Sequence, residues 1–488
     1  MVKSKKINPS LKNNIILNTI YQILTVVTPF ITAPYISRVL GADGVGTYSY
    51  TQSIQTYFLL CAALGTASYG AREIARNRDS VEKRSKLFWE IELMSVSTSA
   101  FIIILWFIFV IFSSNYKIIY LILSLNIIAV MMDISWFFTG LEQFKYIVSK
   151  NMVFKILGII CIFVFVKNKD DLLKYIVIMT LSTFLGNLSM WLAIPKFICK
   201  VRIKSLNIFS HFKETLVYFL PTIATSIYTV LDKSLIGLIT NDLNENGYYE
   251  QATKIINIAK SLTFTALNSV MGARISYLFS ENKTEEVRKH IRQSIEYIMF
   301  TGVGIAFGIL GIAHNFVPVF FGPGYDRVIG LLYVFSPMIL IIGISNCLGS
   351  HYYTPSGKRA QSAKYLIAGS ICNLVLNLAL IPIFGSRGAA IASVLAESFI
   401  TALYFKNCSG FITLKGLCDI GWKKIISGIL MLTVVLLIGK IQVSNKIILI
   451  GLQVVCGVFV YVIGLLAMKD VWISQIIMNF SKRKIKFK

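Results

Sequence analysis

Acidic side chains are scarce in this chain. It holds 23 aspartates and glutamates against 48 lysines and arginines, and charged residues make up only 15% of its 488 positions. A soluble globular domain uses about a quarter, so a soluble fold is excluded. Also missing is any GxxxxGK[ST] loop to cradle a nucleotide, and no polar stretch has room for a nucleotide-binding domain, which excludes ATP hydrolysis within this chain. The eight cysteines show no CxxC spacing and read as small packing residues, while the four isolated histidines form no metal cluster. No connection is large enough for the reading elements of a nucleic-acid-binding surface, or for the paired carboxylates of a glycan polymerase. The chain is therefore not expected to be an enzyme or to carry a cofactor.

What is present is apolar. Hydrophobic residues make up 55% of the chain and the mean hydropathy is +0.69. Runs long enough to cross a bilayer predict helices over 14–34, 45–67, 88–112, 117–138, 152–167, 172–194, 215–239, 250–272, 296–320, 328–349, 362–382, 387–405, 424–439 and 447–468. The expectation is an all-α polytopic membrane protein with fourteen transmembrane helices and both termini on one side. Alternate connections carry most of the basic residues: Lys3, Lys5, Lys6 and Lys12, then Arg72 to Lys86, then Lys196 to Lys213, and the tail ending Lys482-Arg483-Lys484 with Lys486 and Lys488. The positive-inside rule places that side, and both termini, in the cytoplasm. The first apolar run is too long for a signal peptide and lacks a cleavage site, so it is read as an uncleaved span.

Two stretches about 200 residues apart repeat one pattern. Gly46-Thr47-Tyr48 leads to Gly70-Ala71-Arg72, and Gly247-Tyr248-Tyr249 leads to Gly272-Ala273-Arg274 across a similar gap. A duplicated membrane lobe, and hence a transporter, is the simplest account. The division expected is 1–205 for helices 1–6, 206–410 for helices 7–12, and 411–488 for helices 13–14 with a basic cytoplasmic tail. Gly302-x-Gly304-x-x-x-Gly308 lies inside an apolar run and reads as small-residue helix packing.

Polar residues that a membrane helix tolerates at a cost mark candidate function. Lys260 lies near the centre of the eighth predicted helix, Lys254 precedes it by six residues, and Arg274 closes the cytoplasmic end. The seventh helix adds Asp232-Lys233. A wet cavity lined by these cations would attract an anion and repel a cationic drug; alternatively, Asp232 neutralises Lys233 or Lys254 and the terminal lysines reach the headgroups. Asn373 and Asn377, and Ser393 and Glu397, recur at a spacing of four and so share a face in each helix. With Asp232 they could ligate Na⁺ or accept a proton, or else bond helices together without an ion. Asp133 is the corresponding carboxylate of the first lobe, with a pair to a nearby lysine or a helix cap at the cytoplasmic end as its other reading.

Arg38-Val39-Leu40-Gly41 with Gly46 and Tyr48, Tyr228-x-x-x-Asp232-Lys233-x-x-x-Gly237, Gly247-Tyr248-Tyr249, Phe321-Gly322-Pro323-Gly324-Tyr325 and Gly388-Ala389-Ala390-Ile391-Ala392 follow one another in helix order. In these motifs the chain resembles the polysaccharide-transporter branch (Wzx-like oligosaccharide-lipid flippases) of the multidrug/oligosaccharidyl-lipid/polysaccharide exporter superfamily. The resemblance implies two six-helix lobes around a cavity that faces the cytoplasm and the outside in turn. It also implies a substrate, the undecaprenyl-diphosphate-linked oligosaccharide repeat unit, carried across the bacterial cytoplasmic membrane to build capsule, O-antigen or exopolysaccharide. On that basis Lys260, Lys254, Lys233 and Arg38 would hold the diphosphate, Na⁺ or proton coupling would run through Asp232, Asn373, Asn377 and Ser393, and a polysaccharide polymerase and a chain-length regulator would be partners. Three other readings remain open: a peptidoglycan lipid-precursor flippase, a drug/ion antiporter, and a scaffold with no wet basic cavity.

Overall fold

The structure, a computed structural model, describes residues 11–474. The basic positions Lys3, Lys5 and Lys6 and the tail from Lys482 lie outside the described residues. All regular structure among the described residues is helical. In chain order the α-helices are α1 (Leu11–Ala63), α2 (Thr66–Arg76), α3 (Val81–Phe112), α4 (Lys117–Met131), α5 (Ser135–Gly140), α6 (Phe144–Phe165), α7 (Leu172–Met190), α8 (Phe212–Thr240), α9 (Leu243–Lys260), α10 (Ala266–Ser280), α11 (Thr284–Phe321), α12 (Asp326–Phe335), α13 (Met338–Leu348), α14 (Arg359–Phe384), α15 (Ser386–Lys406), α16 (Leu414–Gly439) and α17 (Lys446–Ala467). Two π-helical turns interrupt this pattern: Ser261–Thr265 joins α9 to α10, and Gly349–Tyr353 extends α13. Among the described residues nine helical runs are long and apolar enough to cross a membrane, or ten if the bent pair Asp326–Phe335 and Met338–Tyr353 is one span.

Several helices differ from the predicted bounds for local reasons. The first two predicted helices are one run, α1, broken at Gly41 with φ 71° and ψ −178°, a backbone state that a side chain resists. Helix α3 begins seven residues before the predicted position 88, at Val81, because the Ser80 hydroxyl caps it by accepting from the Lys83 amide at 3.3 Å. Helix α6 begins at Phe144 rather than 152. Its first two turns carry Lys145, Ser149, Lys150 and Asn151, too polar for an apolar-run criterion, and the Lys150 ammonium donates to the Ser189 carbonyl of α7 at 2.8 Å. Lys145 and Lys150 are thus helical and not part of a connection.

The chain forms two compact units, residues 1–247 and 248–488. The first unit keeps α8, which packs on α1 and α2, so compactness divides the chain one helix later than the sequence repeat does. Its core has two clusters, one around Trp106, Tyr120, Leu123 and Ile127 and another, rich in aromatics, around Phe88, Trp136, Phe137 and Phe138. Glycines allow the closest approaches: a Cβ at Gly46 would lie 1.7 Å from the Leu243 carbonyl oxygen, one at Gly247 2.1 Å from that of Ala42, and one at Gly70 2.4 Å from the Trp136 ring. In the second unit a continuous core runs from Phe264 through Ile298, Tyr353 and Tyr404 to Leu465. The last two helices, α16 and α17, pack against α11. A Cβ at Gly302 would lie 2.8 Å from Leu340 and one at Gly304 3.2 Å from Tyr461, whereas Gly308 faces open space. A buried ion pair fastens α16, with Lys424 donating to Asp470 at 2.9 Å and both side chains below a tenth exposed.

Candidate functional site

Within the first unit, α1, α6 and α7 enclose a cavity of about 360 Å³, within the size range of ligand pockets. Thr28 and Thr32 line it from α1, Asn151 and Lys155 from α6, and Ser182, Thr183 and Asn187 from α7. Helices α6 and α7 meet closely because Gly158 has no side chain; a Cβ there would sit 2.4 Å from the Ser182 hydroxyl. Thr28, Thr32 and Thr183 each donate to a carbonyl one turn back, at 2.7, 3.0 and 3.0 Å, which leaves oxygen lone pairs as acceptors. The Asn187 amide donates to the Ala129 carbonyl at 2.8 Å.

Lys155 is the only charged residue among those lining this cavity. It falls midway along α6, half-buried, and among the described residues no charged group acts on it. A lysine at such a position costs roughly 2.5–3.5 kcal/mol to insert, a cost that an anion in the cavity would offset. The surrounding hydroxyls and amides suit an oxygen-rich ligand. Apolar-run length alone passes over Lys155, because starting the helix at 152 leaves it in the first turn, where it would reach the headgroups.

The predicted cations fall in both units. In the first, Arg38 is exposed and Lys233 half-buried, and the Lys233 carbonyl accepts from the Asn246 amide at 2.8 Å. In the second, Lys260 is half-buried at the point where α9 passes into its π-helical turn, an irregularity that often accompanies a functional site. Lys254 pairs with Glu250 at 3.4 Å on its own helix, a partner not among those expected from the sequence. Arg274 is exposed, its guanidinium 5.9 Å from the Tyr277 ring centre. Because Glu250 already offsets its charge, Lys254 adds less to an anion-attracting surface than an unpaired lysine would.

The predicted ion-coupling residues are almost all buried. Asp232, 5% exposed, lies in α8 near Tyr57, and the neighbouring Ser234 hydroxyl meets those of Ser53 at 2.9 Å and Tyr57 at 3.1 Å. In the second unit Asn373 and Asn377 are fully buried on one face of α14, the Asn377 amide donating to the Asn373 oxygen at 3.0 Å. Ser393 lies 3.4 Å from the Tyr249 hydroxyl, and Glu397 is buried one turn further along α15. Asp133 occupies the break between α4 and α5 and caps the latter, accepting from the Ser135 amide at 2.9 Å.

Repeated apolar helices, intramembrane lysines and buried amides define an α-helical, multi-pass membrane transporter. The sequence matches the polysaccharide biosynthesis protein family over residues 11–278, more than half its length, and the chain belongs to that family, within the Wzx-like branch of the exporter superfamily. It is 24% identical to the Escherichia coli K12 protein named "Putative O-antigen transporter" over 400 residues, 81% of this chain and 95% of that one. It is also 24% identical, over 58% of each chain, to the "Probable low-salt glycan biosynthesis flippase Agl15" of Haloferax volcanii. Among solved structures, "Lipid II flippase MurJ, inward closed conformation" has the same fold, with a TM-score of 0.73 at 16% identity, covering 94% of this chain and 99% of that one. An inward-facing multidrug transporter of the MATE family gives 0.53 at 12% identity, covering 86% and 98%.

Proposed function

We propose that this protein is a flippase that moves undecaprenyl-diphosphate-linked oligosaccharide repeat units from the inner to the outer leaflet of the bacterial cytoplasmic membrane. The observation that carries this reading is Lys155, a lysine midway along a membrane-length helix with no charged neighbour among the described residues, in a cavity whose other polar lining is hydroxyls and amides. A diphosphate answers the ammonium, and sugar hydroxyls answer the rest. Within each unit, Lys233 and Arg38 in the first and Lys260 and Arg274 in the second would add positive charge for the diphosphate, with Lys254 contributing less. The chain would cross the membrane fourteen times, N-in and C-in, with its lobes alternating in access. Na⁺ or protons acting through Asp232, Asn373, Asn377, Ser393, Glu397 and Asp133 would reset them. A polysaccharide polymerase and a chain-length regulator would take up the product. The names of the E. coli and Haloferax relatives support this class; the likeness to the Lipid II flippase supports the fold alone.

Depleting the protein tests the reading. Undecaprenyl-diphosphate oligosaccharide should accumulate on the cytoplasmic leaflet while surface polysaccharide falls. Accumulation of the peptidoglycan precursor instead would assign the other lipid cargo, and unchanged lipid pools with retention of a small solute would assign an antiporter.

A further inference from the structure

Helix α3 carries two buried carboxylates two residues apart, and the structure treats them oppositely. Glu90 is fully provided for: it accepts from the Asn207 amide at 2.8 Å, meets His211 Nε2 at 3.2 Å and lies 3.8 Å from the Lys86 ammonium. His211 in turn bonds the Tyr69 hydroxyl through Nδ1 at 2.6 Å. Glu92, about 200° further round the helix, is 1% exposed, and neither of its oxygens has a hydrogen-bond partner. The side chains facing it are the Asp133 carboxylate and the Trp136 indole. The indole Nε1, also buried, finds no acceptor at hydrogen-bonding geometry.

An ionised carboxylate whose one facing donor, the Trp136 indole, stands outside hydrogen-bonding geometry, and which lies beside a second carboxylate, costs several kcal/mol in such surroundings. The other charged and titratable groups on elements packed against this part of α3 are engaged elsewhere. His211 and Lys86 serve Glu90, Arg84 donates to the Phe197 and Arg78 carbonyls, on α2 Arg72 donates to the Tyr218 hydroxyl and Arg76 pairs with Glu73, and α1 presents the Ala62 carbonyl. Asp133, unlike Glu92, has a donor on one oxygen, the Ser135 amide. Too few oxygens converge for a sodium shell, whereas a single proton on Glu92 removes the charge and supplies a donor.

We propose that Glu92 and Asp133 form a proton-binding site in the first unit, with the proton on Glu92 and Asp133 ionised at the α4–α5 break. The site adds Glu92 to the ion coupling proposed above, and for Asp133 it rests on that reading, but it does not depend on which cargo is carried. Water reaching that break would solvate Glu92 and release the proton, so the site would be loaded when the break is closed and emptied when it is wet.

Infrared spectra of the full chain in lipid nanodiscs, recorded through a pH titration, test this. Wild type at neutral pH should show the carbonyl stretch of a buried carboxylic acid; Glu92→Gln should remove it, and Asp133→Asn, by removing the like charge that opposes ionisation of Glu92, should move its loss to lower pH. Absence of the band in wild type, or its survival in Glu92→Gln, would overturn the proposal. So would loss of the band on adding sodium chloride at constant pH, which would make the ligand a metal cation. If Glu92→Gln fails to fold, the wild-type and Asp133→Asn spectra still decide. No arm measures transport, so failure here leaves the flippase reading untouched.

Discussion

Replacing Lys155 with alanine is expected to lower export of lipid-linked glycan by about 10- to 100-fold, and replacing it with glutamate to abolish it. A hydrogen bond to a charged group contributes roughly 1.5–3 kcal/mol, and each 1.4 kcal/mol is about a factor of ten. Among the residues lining the cavity no second cation can take over the role. Glutamate goes further, because it would turn attraction for the proposed diphosphate into repulsion. Lys155→Arg should retain part of the activity, since the charge survives while the longer, planar head fits the space less well. The measurement is surface polysaccharide together with the cytoplasmic-leaflet lipid-oligosaccharide pool, at equal protein abundance. Wild-type export by Lys155→Ala would remove the cavity from the transport path.

The second large effect concerns folding. Gly46→Val is expected to prevent assembly of the first unit, because even the first carbon of the new side chain would lie 1.7 Å from the Leu243 carbonyl oxygen. The obstruction is backbone, which cannot rotate away, so the cost should exceed the roughly 1–3 kcal/mol typical of an overpacked core. Gly272→Ala offers the contrast. A Cβ on that motif glycine would meet no atom within 4 Å, and alanine in a helix is favoured by about 1 kcal/mol over glycine. Size-exclusion profiles and thermal melts in detergent should therefore show Gly46→Val lost or aggregated and Gly272→Ala at or slightly above wild type. Equal behaviour of the two would mean that the α1–α9 approach is not as close as the structure has it.

The sequence disclosed the helices more readily than the site. Each predicted apolar run falls largely on helical residues, because hydrophobic length is a strong signal and survives local irregularity. The repeat was visible in its glycines, yet its copies behave differently: Gly70 lies flush against Trp136, while Gly272 faces open space. Lys155 and Glu92 were missed for one shared reason. Helix starts placed at 152 and 88 leave both in a first turn, where a charge needs no explanation, whereas α6 and α3 begin early enough to bring both well inside. Capping by Ser80 could have revealed the second of these. Lys254 was visible, but not its bond to Glu250, although the spacing of four between them was there to be read. The approach of Glu92 to Asp133 brings α3 to the break after the next helix, and no local spacing announces it.

The Lys424–Asp470 pair also sets an order of events during biosynthesis. The two residues lie 46 positions apart, so at about 5–20 residues per second the lysine emerges from the ribosome roughly 2–9 s before its counter-charge exists. Until then α16 must be held with an uncompensated ammonium, either at the membrane surface or within the insertion machinery. Final seating of the helix against α11 therefore waits until Asp470 has emerged.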